Sequence, residues 1–250
     1  MGNKTLIITG ANGNVGSYLA SRFLQRGRKL ILIVHKNKQR IEDLEATNPQ
    51  TVRVLAADLS KLERVKQKFD QIIEQTGWQP TELIHTSTAR SHDFQALVNT
   101  DEHLWQRILM VNIMGTYNIL KTVLPYFKQK KYGRIVLFGS NVSRIGLPRG
   151  TAYSASKAAI SNLCRSVAVE EATDKIIINT ISPGPIKIDE SHFSESYRKF
   201  REEYYKEKLK EIPLKRCATF EDIFGLCRFL ISEENSYITG EEFFVTGGKL

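Results

Sequence analysis

The chain has 250 residues, 25% of them charged and 41% hydrophobic, and its 36 Lys and Arg against 27 Asp and Glu give a formal charge of +9. This is an ordinary globular balance, and the length suits one α/β domain with a substantial core. The basic excess contains no long Lys/Arg run, so neither a nucleic-acid nor a membrane partner is expected; phosphorylated small molecules would give such charge a use.

The N-terminal apolar run Leu6-Ile7-Ile8 is too short for a signal peptide or a membrane span. Cys164, Cys217 and Cys227 form no CxxC pair and read as reduced and mostly buried. A cytoplasmic protein is expected, and no metal site. Strands are predicted at 5–9, 30–34, 52–56, 82–86, 133–139, 175–181 and 242–245, where apolar β-formers cluster. Helical spacing lies between them. Val15, Leu19 and Phe23 mark one helix; others span about 101–130 and 152–172. This alternation predicts βαβ units on a parallel sheet buried on both faces.

The first strand runs into Gly10-Ala11-Asn12-Gly13-Asn14-Val15-Gly16 at the start of a helix. Glycine suits a turn where φ is positive or where the backbone must approach a phosphate. The free N–H groups and positive end of the helix favour a pyrophosphate. The second strand ends in Val34-His35-Lys36-Asn37-Lys38. A dinucleotide site for NAD would place an acid there, on the ribose hydroxyls. His35, Lys36 and Lys38 instead suit a 2′-phosphate, so NADP(H) is the expected cofactor. Asp58, followed by Leu59, either caps a helix or accepts a bond from the adenine amino group.

Ser140 closes the fifth strand. Tyr153 and Lys157 follow, four residues apart on one helical face. A Lys cation beside the phenol would lower its pKa from about 10, which suits a general acid working near neutrality. All three fall at the carboxyl edge of the sheet, where ligands bind.

Beyond Tyr153 the pattern is irregular over 183–220. Ser182-Pro183-Gly184-Pro185 signals a turn. A charged, aromatic helix is predicted from Phe193 to Leu209, and an amphipathic one from Phe220 to Ile231. Residues 186–212 read as a lid over a cleft, the alternative being a peripheral helical hairpin.

With these anchors in place, the whole chain resembles the short-chain dehydrogenase/reductase family, in particular its classical branch with the 3-oxoacyl-acyl-carrier-protein reductases. The anchors are Thr9-Gly10 to Gly16, Asp58-Leu59, Asn112, Ser140, Tyr153-Ser154-Ala155-Ser156-Lys157, Ser182-Pro183-Gly184, Ile238-Thr239-Gly240 and Gly247-Gly248. The resemblance implies one NAD(P)-binding domain over 1–250, α/β in class. Its core would be a Rossmann-type doubly wound parallel sheet of about seven strands, with helices on both faces. It implies that Tyr153 donates the proton, Ser140 bonds the substrate oxygen, and Lys157 holds the nicotinamide ribose and tunes Tyr153. Asn112 would hold a water linking Lys157 to solvent. Thr86, Ser87, Pro183, Gly184 and Ile186 would border the cofactor. Homodimers or homotetramers through the helices of Asn112 and Tyr153 are expected.

Several residues depart from the family pattern. Asn14 replaces the middle glycine of the turn. The loop His85-Thr86-Ser87-Thr88-Ala89 has lost its usual glycine. Ile188 stands where a Thr often bonds the carboxamide, and Thr246 precedes Gly247-Gly248 where Asp is frequent. Arg144, Leu147, His192, Phe193 and Tyr197 are the candidate substrate contacts. A ketone or β-ketoacyl thioester is the expected substrate. The alternatives are a secondary-alcohol or sugar dehydrogenase, and a non-catalytic cofactor-binding regulator on the same fold.

Overall fold

Leu6, Ile7, Ile8, Leu30 and Ile31 have no exposed surface, because the strands they form are covered from both sides. The computed structural model describes residues 4–90, 95–188 and 194–249. Its strands are β1 (Lys4–Thr9), β2 (Lys29–Val34), β3 (Val52–Ala56), β4 (Gln79–His85), β5 (Gly133–Phe138), β6 (Ile176–Pro183) and β7 (Glu242–Val245). They form one parallel sheet in the order β3-β2-β1-β4-β5-β6-β7. The expected doubly wound, seven-stranded fold is therefore present.

The order reverses direction between β1 and β4, where Thr9 lies opposite His85. Connections leaving these two strands diverge, and a crevice opens beyond their carboxyl ends. The fold thus places the glycine turn after β1 and the 86–90 loop after β4 on opposite sides of one opening.

Helices α3 (Leu62–Thr76), α5 (Gly115–Lys130) and α7 (Thr151–Glu171) cover one face of the sheet. Helices α1 (Asn14–Leu24) and α9 (Phe220–Leu230) cover the other. The α7 helix buries Ile160, Cys164, Val167 and Ala168 against the sheet. Burying one large aliphatic side chain contributes about 1.5–3 kcal/mol. Several such contacts make α7 a fixed platform for Tyr153 and Lys157 at its N-terminal end.

The helix expected over 101–130 is present but not uniform. It comprises α4 (Glu102–Leu109), a π-helical turn (Met110–Met114) and α5. Asn112 lies in that turn, fully buried, with its side chain bonded outside the helix. The connections also contain the short helices α2 (Glu42–Thr47) and α6 (Val142–Ile145). The helix expected from Phe193 to Leu209 is α8 (Glu195–Glu211). Cys164 and Cys227 are buried free thiols, while Cys217 is partly exposed. Among the described residues no helix is long and apolar enough to cross a membrane, and no group of His, Cys, Asp and Glu could hold a metal ion.

Candidate active site

The glycine turn is built around the Gly10 carbonyl, which accepts from Gly13 N at 2.8 Å. Gly10 has φ +63°, and a Cβ there would lie 2.8 Å from Ser87 N. A Cβ on Gly16 would lie 2.3 Å from Gly10 O, so only glycine lets α1 begin this close to the turn. Asn14 is the first residue of α1 and is not among the residues with positive φ. It needs no glycine, which accounts physically for that departure. Gly13 caps α1 without a side-chain bond, so the N–H groups of the first turn remain available to an anion.

Asn12 turns away from α1, and its Oδ1 accepts from the Arg40 backbone N–H at 2.7 Å. This ties the glycine turn to the segment after β2, where His35, Lys36, Lys38 and Arg40 are all exposed. Asp58 Oδ1 accepts from Ser60 N at 2.9 Å, and Asp58 Oδ2 lies 3.9 Å from His35 Nε2. Partial burial alone would raise the Asp58 carboxyl. Bonds from Ser60 and the nearby His35 and Lys61 outweigh it and hold the group below the usual carboxylate range. Leu59 is buried, and its carbonyl accepts from Asn118 Nδ2 at 2.8 Å.

The loop after β4 manages without a glycine because none of its residues takes a positive φ. Thr86 Oγ1 donates to Thr9 O at 2.7 Å, and the Ser87 backbone packs against Gly10. Asn112 pinches Ala89 from both sides. Its Oδ1 accepts from Ala89 N at 2.6 Å, while its Nδ2 donates to Ala89 O at 3.0 Å and to Ser156 Oγ at 2.9 Å. The Asn112 side chain therefore braces this loop against α7. Its main-chain oxygen accepts from Thr116 Oγ1 at 2.6 Å.

His85 is buried between two hydroxyls, with Nδ1 2.7 Å from Thr9 Oγ1 and Nε2 3.0 Å from Thr116 Oγ1. Thr116 has one hydroxyl proton, and its short bond to Asn112 O uses it. The proton of the neutral ring accordingly sits on Nε2, and Nδ1 accepts from Thr9. Burial, with the Lys157 charge adding to it, depresses the imidazole to about 3.

Ser140 sits in the turn after β5. Gly139 N donates to Ile181 O at 2.9 Å and Asn141 N to Pro183 O at 3.1 Å, so the turn is stitched to β6 on both sides of Ser140. Glu242, from β7, accepts from Ser143 Oγ at 2.8 Å and Ser182 Oγ at 2.5 Å, which fixes the same turn from beneath. Lys157 is 1% exposed, and its Nζ donates to Phe138 O at 2.7 Å. Nζ also lies 5.7 Å from the centre of the Tyr153 ring. Burial would push the Tyr153 phenol up. The cations of Lys157 and Arg90, with hydrogen bonding from Ser140 and Arg90, outweigh that and bring it below the ordinary tyrosine value. Burial also lowers the Lys157 ammonium, opposed by Tyr153 and reinforced by Arg90.

These parts open into one cleft of about 620 Å³. Of the expected site residues, Gly13, Asn14, Val15, Gly16, Thr86, Ser140, Leu147, Tyr153, Lys157, Pro183, Gly184 and Ile186 line it, as does Ile188. Gly10, Asn12, His35, Lys36, Asp58, Leu59, Ser87 and Asn112 are not in its lining. They support it or lie beyond its β2 end. Arg144 stacks over Phe244 at 5.6 Å and contributes instead to a small neighbouring hollow. His192 and Phe193 lie outside the described residues, as does the side chain of Tyr197. Arg201, Tyr204, Tyr205 and Lys208, all within the 186–212 segment expected over the cleft, line it as well, and so does Arg90, which was not anticipated. Arg90 had one legible signal, its position just beyond a strand at the carboxyl edge of the sheet.

Residues 10–249 match the family model described as enoyl-(acyl carrier protein) reductase. The chain is 32% identical to the 3-oxoacyl-acyl-carrier-protein reductase FabG of Aggregatibacter actinomycetemcomitans over 253 residues, covering 98% of this chain and 99% of that one. It is 31% identical to the oxidoreductase UcpA of Salmonella typhimurium, covering 98% and 94%. Its fold is similar to that of ElxO, solved with NADP bound, at a TM-score of 0.86 and 24% identity over 99% of both chains.

Proposed function

The chain belongs to the short-chain dehydrogenase/reductase family, and on that premise we propose that it is an NADP(H)-dependent reductase of a ketone or β-ketoacyl thioester. The observation that carries this reading is the placement of Tyr153, Lys157 and Ser140 in the same cleft as the uncapped start of α1.

The residues present fit a dinucleotide. Gly10 and Gly16 let the turn pack tightly against Ser87 and against the start of α1, and the first turn of α1, uncapped by a side chain, offers N–H groups to a pyrophosphate. The exposed Lys36 and His35 at the end of β2 suit a 2′-phosphate, and no acid stands at the end of that strand. Two structures of the similar fold ElxO are described with NADP and NADPH bound, which favours the phosphorylated cofactor here too. When bound, the nicotinamide supplies the hydride.

The chain's own groups handle the substrate oxygen. Ser140 Oγ donates to it and holds it toward Tyr153. As the carbonyl is reduced, negative charge grows on that oxygen, and preplaced donors stabilise it where it appears. Tyr153 Oη releases its proton to the oxygen. Lys157 Nζ has one donor committed to Phe138 O, which leaves two for the cofactor ribose and for the phenolate that Tyr153 becomes. Fixed at both ends, Lys157 keeps its charge beside Tyr153 through the cycle. Ile186, Ile188 and the α8 residues Arg201, Tyr204, Tyr205 and Lys208 line the cleft and act as the described part of its lid.

The test is the absorbance of NADPH and NADH with a panel of ketones, sugars and acyl thioesters. The reading predicts oxidation of NADPH in preference to NADH with at least one ketone or thioester. Tight NADPH binding with no turnover of any member would overturn the catalytic reading.

A further inference from the structure

The proposed reading asks the Ser140 hydroxyl to hold the substrate oxygen, yet that hydroxyl is itself held by long contacts. Apart from Tyr153, its Oγ meets Asn141 Oδ1 and Val142 N, each at 3.5 Å, beyond the usual length of a hydrogen bond. Its proton is thereby left to the substrate, and its place is set by the backbone beneath it.

That backbone is tied to one carboxylate. Ser143 N donates to Ser140 O at 2.9 Å, and Ser143 Oγ donates to Glu242 Oε1 at 2.8 Å. Ser182 Oγ, near the end of β6, donates to the same oxygen at 2.5 Å, the length of a bond to an ionised acceptor. Each hydroxyl has one proton, so both are spent on Glu242. Ser182 stands between Ile181 and Pro183, whose carbonyls accept from Gly139 N and Asn141 N on either side of Ser140. The other carboxylate oxygen of Glu242 lies 3.7 Å from Arg165 Nη2, on the helix that carries Tyr153 and Lys157. A Cβ on Gly139 would lie 2.2 Å from Ser182 Oγ, so the glycine before Ser140 leaves Ser182 its path to Glu242. Burying a carboxylate costs free energy unless donors satisfy it. The Glu242 side chain is 10% exposed, and every donor around it leads back to the Ser140 turn or to α7.

We propose that Glu242 is a positioning residue for the reduction: through Ser143 and Ser182 it fixes the turn so that the Ser140 hydroxyl meets the substrate oxygen as charge develops there. The proposal rests on the ketone-reduction reading for its reaction, and on the Glu242 bonds for its geometry. Donors placed in advance stabilise the developing charge without reorganising, and a displacement of about 1 Å can cost about 100-fold in rate.

The test is a double-mutant cycle between Glu242 and Ser140, read as the single-turnover rate of NADPH oxidation at saturating ketone. Glu242→Ala should slow the native protein by about tenfold or more, with the NADPH dissociation constant within about threefold. In a Ser140→Ala background the same substitution should change the rate by less than about twofold, because the group it positions is gone. A merely structural role would lower both rates by the same factor. Glu242→Gln keeps an oxygen that accepts from both hydroxyls and should retain most of the rate. Ser143→Ala cuts the arm to the turn and leaves Ser182 bonded. It should show the same dependence on Ser140, and it carries the test if Glu242→Ala does not fold. Equal losses in the two backgrounds, or no loss from either substitution, would overturn the proposal while leaving ketone reduction intact. Hydrogen exchange over 139–146, with no ketone present, reads the tie without the reaction. Glu242→Ala and Ser143→Ala should speed that exchange, while α1 keeps its native rate. Unchanged exchange would overturn the tie itself. Faster exchange in a protein that reduces no ketone would overturn the reductase reading, and with it the part of Glu242 in catalysis.

Discussion

The Lys157 ammonium donates a 2.7 Å bond to the carbonyl oxygen of Phe138. A helix side chain is thereby locked onto the last residue of β5, two positions before Ser140. The bond gives a buried cation a fixed address, and it holds the positive charge beside Tyr153, with no carboxylate paired to it among the described residues.

Lys157→Met should keep the volume and remove that charge. The Tyr153 phenol then loses its largest acidifying influence. Turnover of a ketone by NADPH is expected to fall by about 100-fold or more at neutral pH, the usual scale for losing acid–base assistance. Steady-state kinetics, with circular dichroism to verify the fold, checks this.

Asn112→Ala should act on the fold and on the site together. It leaves the Ala89 N–H and C=O and the Ser156 hydroxyl without their buried partner. Unsatisfied buried groups cost about 1–3 kcal/mol each, with some relief from rearrangement. A loss of about 2–4 kcal/mol in urea unfolding is expected. Asn112→Ser should recover little of it, because a single hydroxyl cannot pinch Ala89 from both sides.

His85 makes stability depend on acidity. The unfolded imidazole takes up a proton below its ordinary value of about 6.5, whereas the folded one stays neutral down to about 3. Between those values the unfolded state binds more protons, so stability falls as the pH falls. The slope from this group approaches about 1.4 kcal/mol per pH unit. In His85→Asn that contribution disappears. The difference in unfolding free energy between the two proteins should shift in favour of the variant as the pH drops from 6.5 to 4.5. A constant difference would contradict the buried neutral histidine.

Lys36→Ala should weaken NADPH by about fivefold or more and leave NADH nearly unchanged, because Lys36 meets only the added phosphate. Fluorescence titration of both cofactors measures this. Equal losses would remove the 2′-phosphate from the account.

Much of this was legible in the residues. The apolar runs located all seven strands, and the central ones most plainly, because strands covered on both faces carry no polar alternation. The Gly10-to-Gly16 turn and the Tyr153–Lys157 pair were legible because backbone approach and helical spacing are local properties. Asn14 looked like a disturbance of the turn, yet it begins α1 with ordinary backbone angles. What stayed hidden was the meeting of distant segments. Arg90 and Arg201 are 111 positions apart in sequence, and only the packing of α8 over the cleft brings both into its lining. Glu242 reaches Ser182 and Ser143 across two strand ends, which no spacing rule signals. The π-helical turn at Asn112 reads as plain helix in the apolar pattern, since one extra residue per turn barely shifts that periodicity.

The central claim is that Tyr153 gives its proton to a substrate oxygen held by Ser140. Tyr153→Phe tests it most directly, since it removes one oxygen and keeps the ring under Arg90. Single-turnover oxidation of NADPH by a substrate ketone should slow by about 100-fold or more, while the NADPH dissociation constant stays within about threefold. A variant that reduces the ketone at a rate close to the native one would contradict the account.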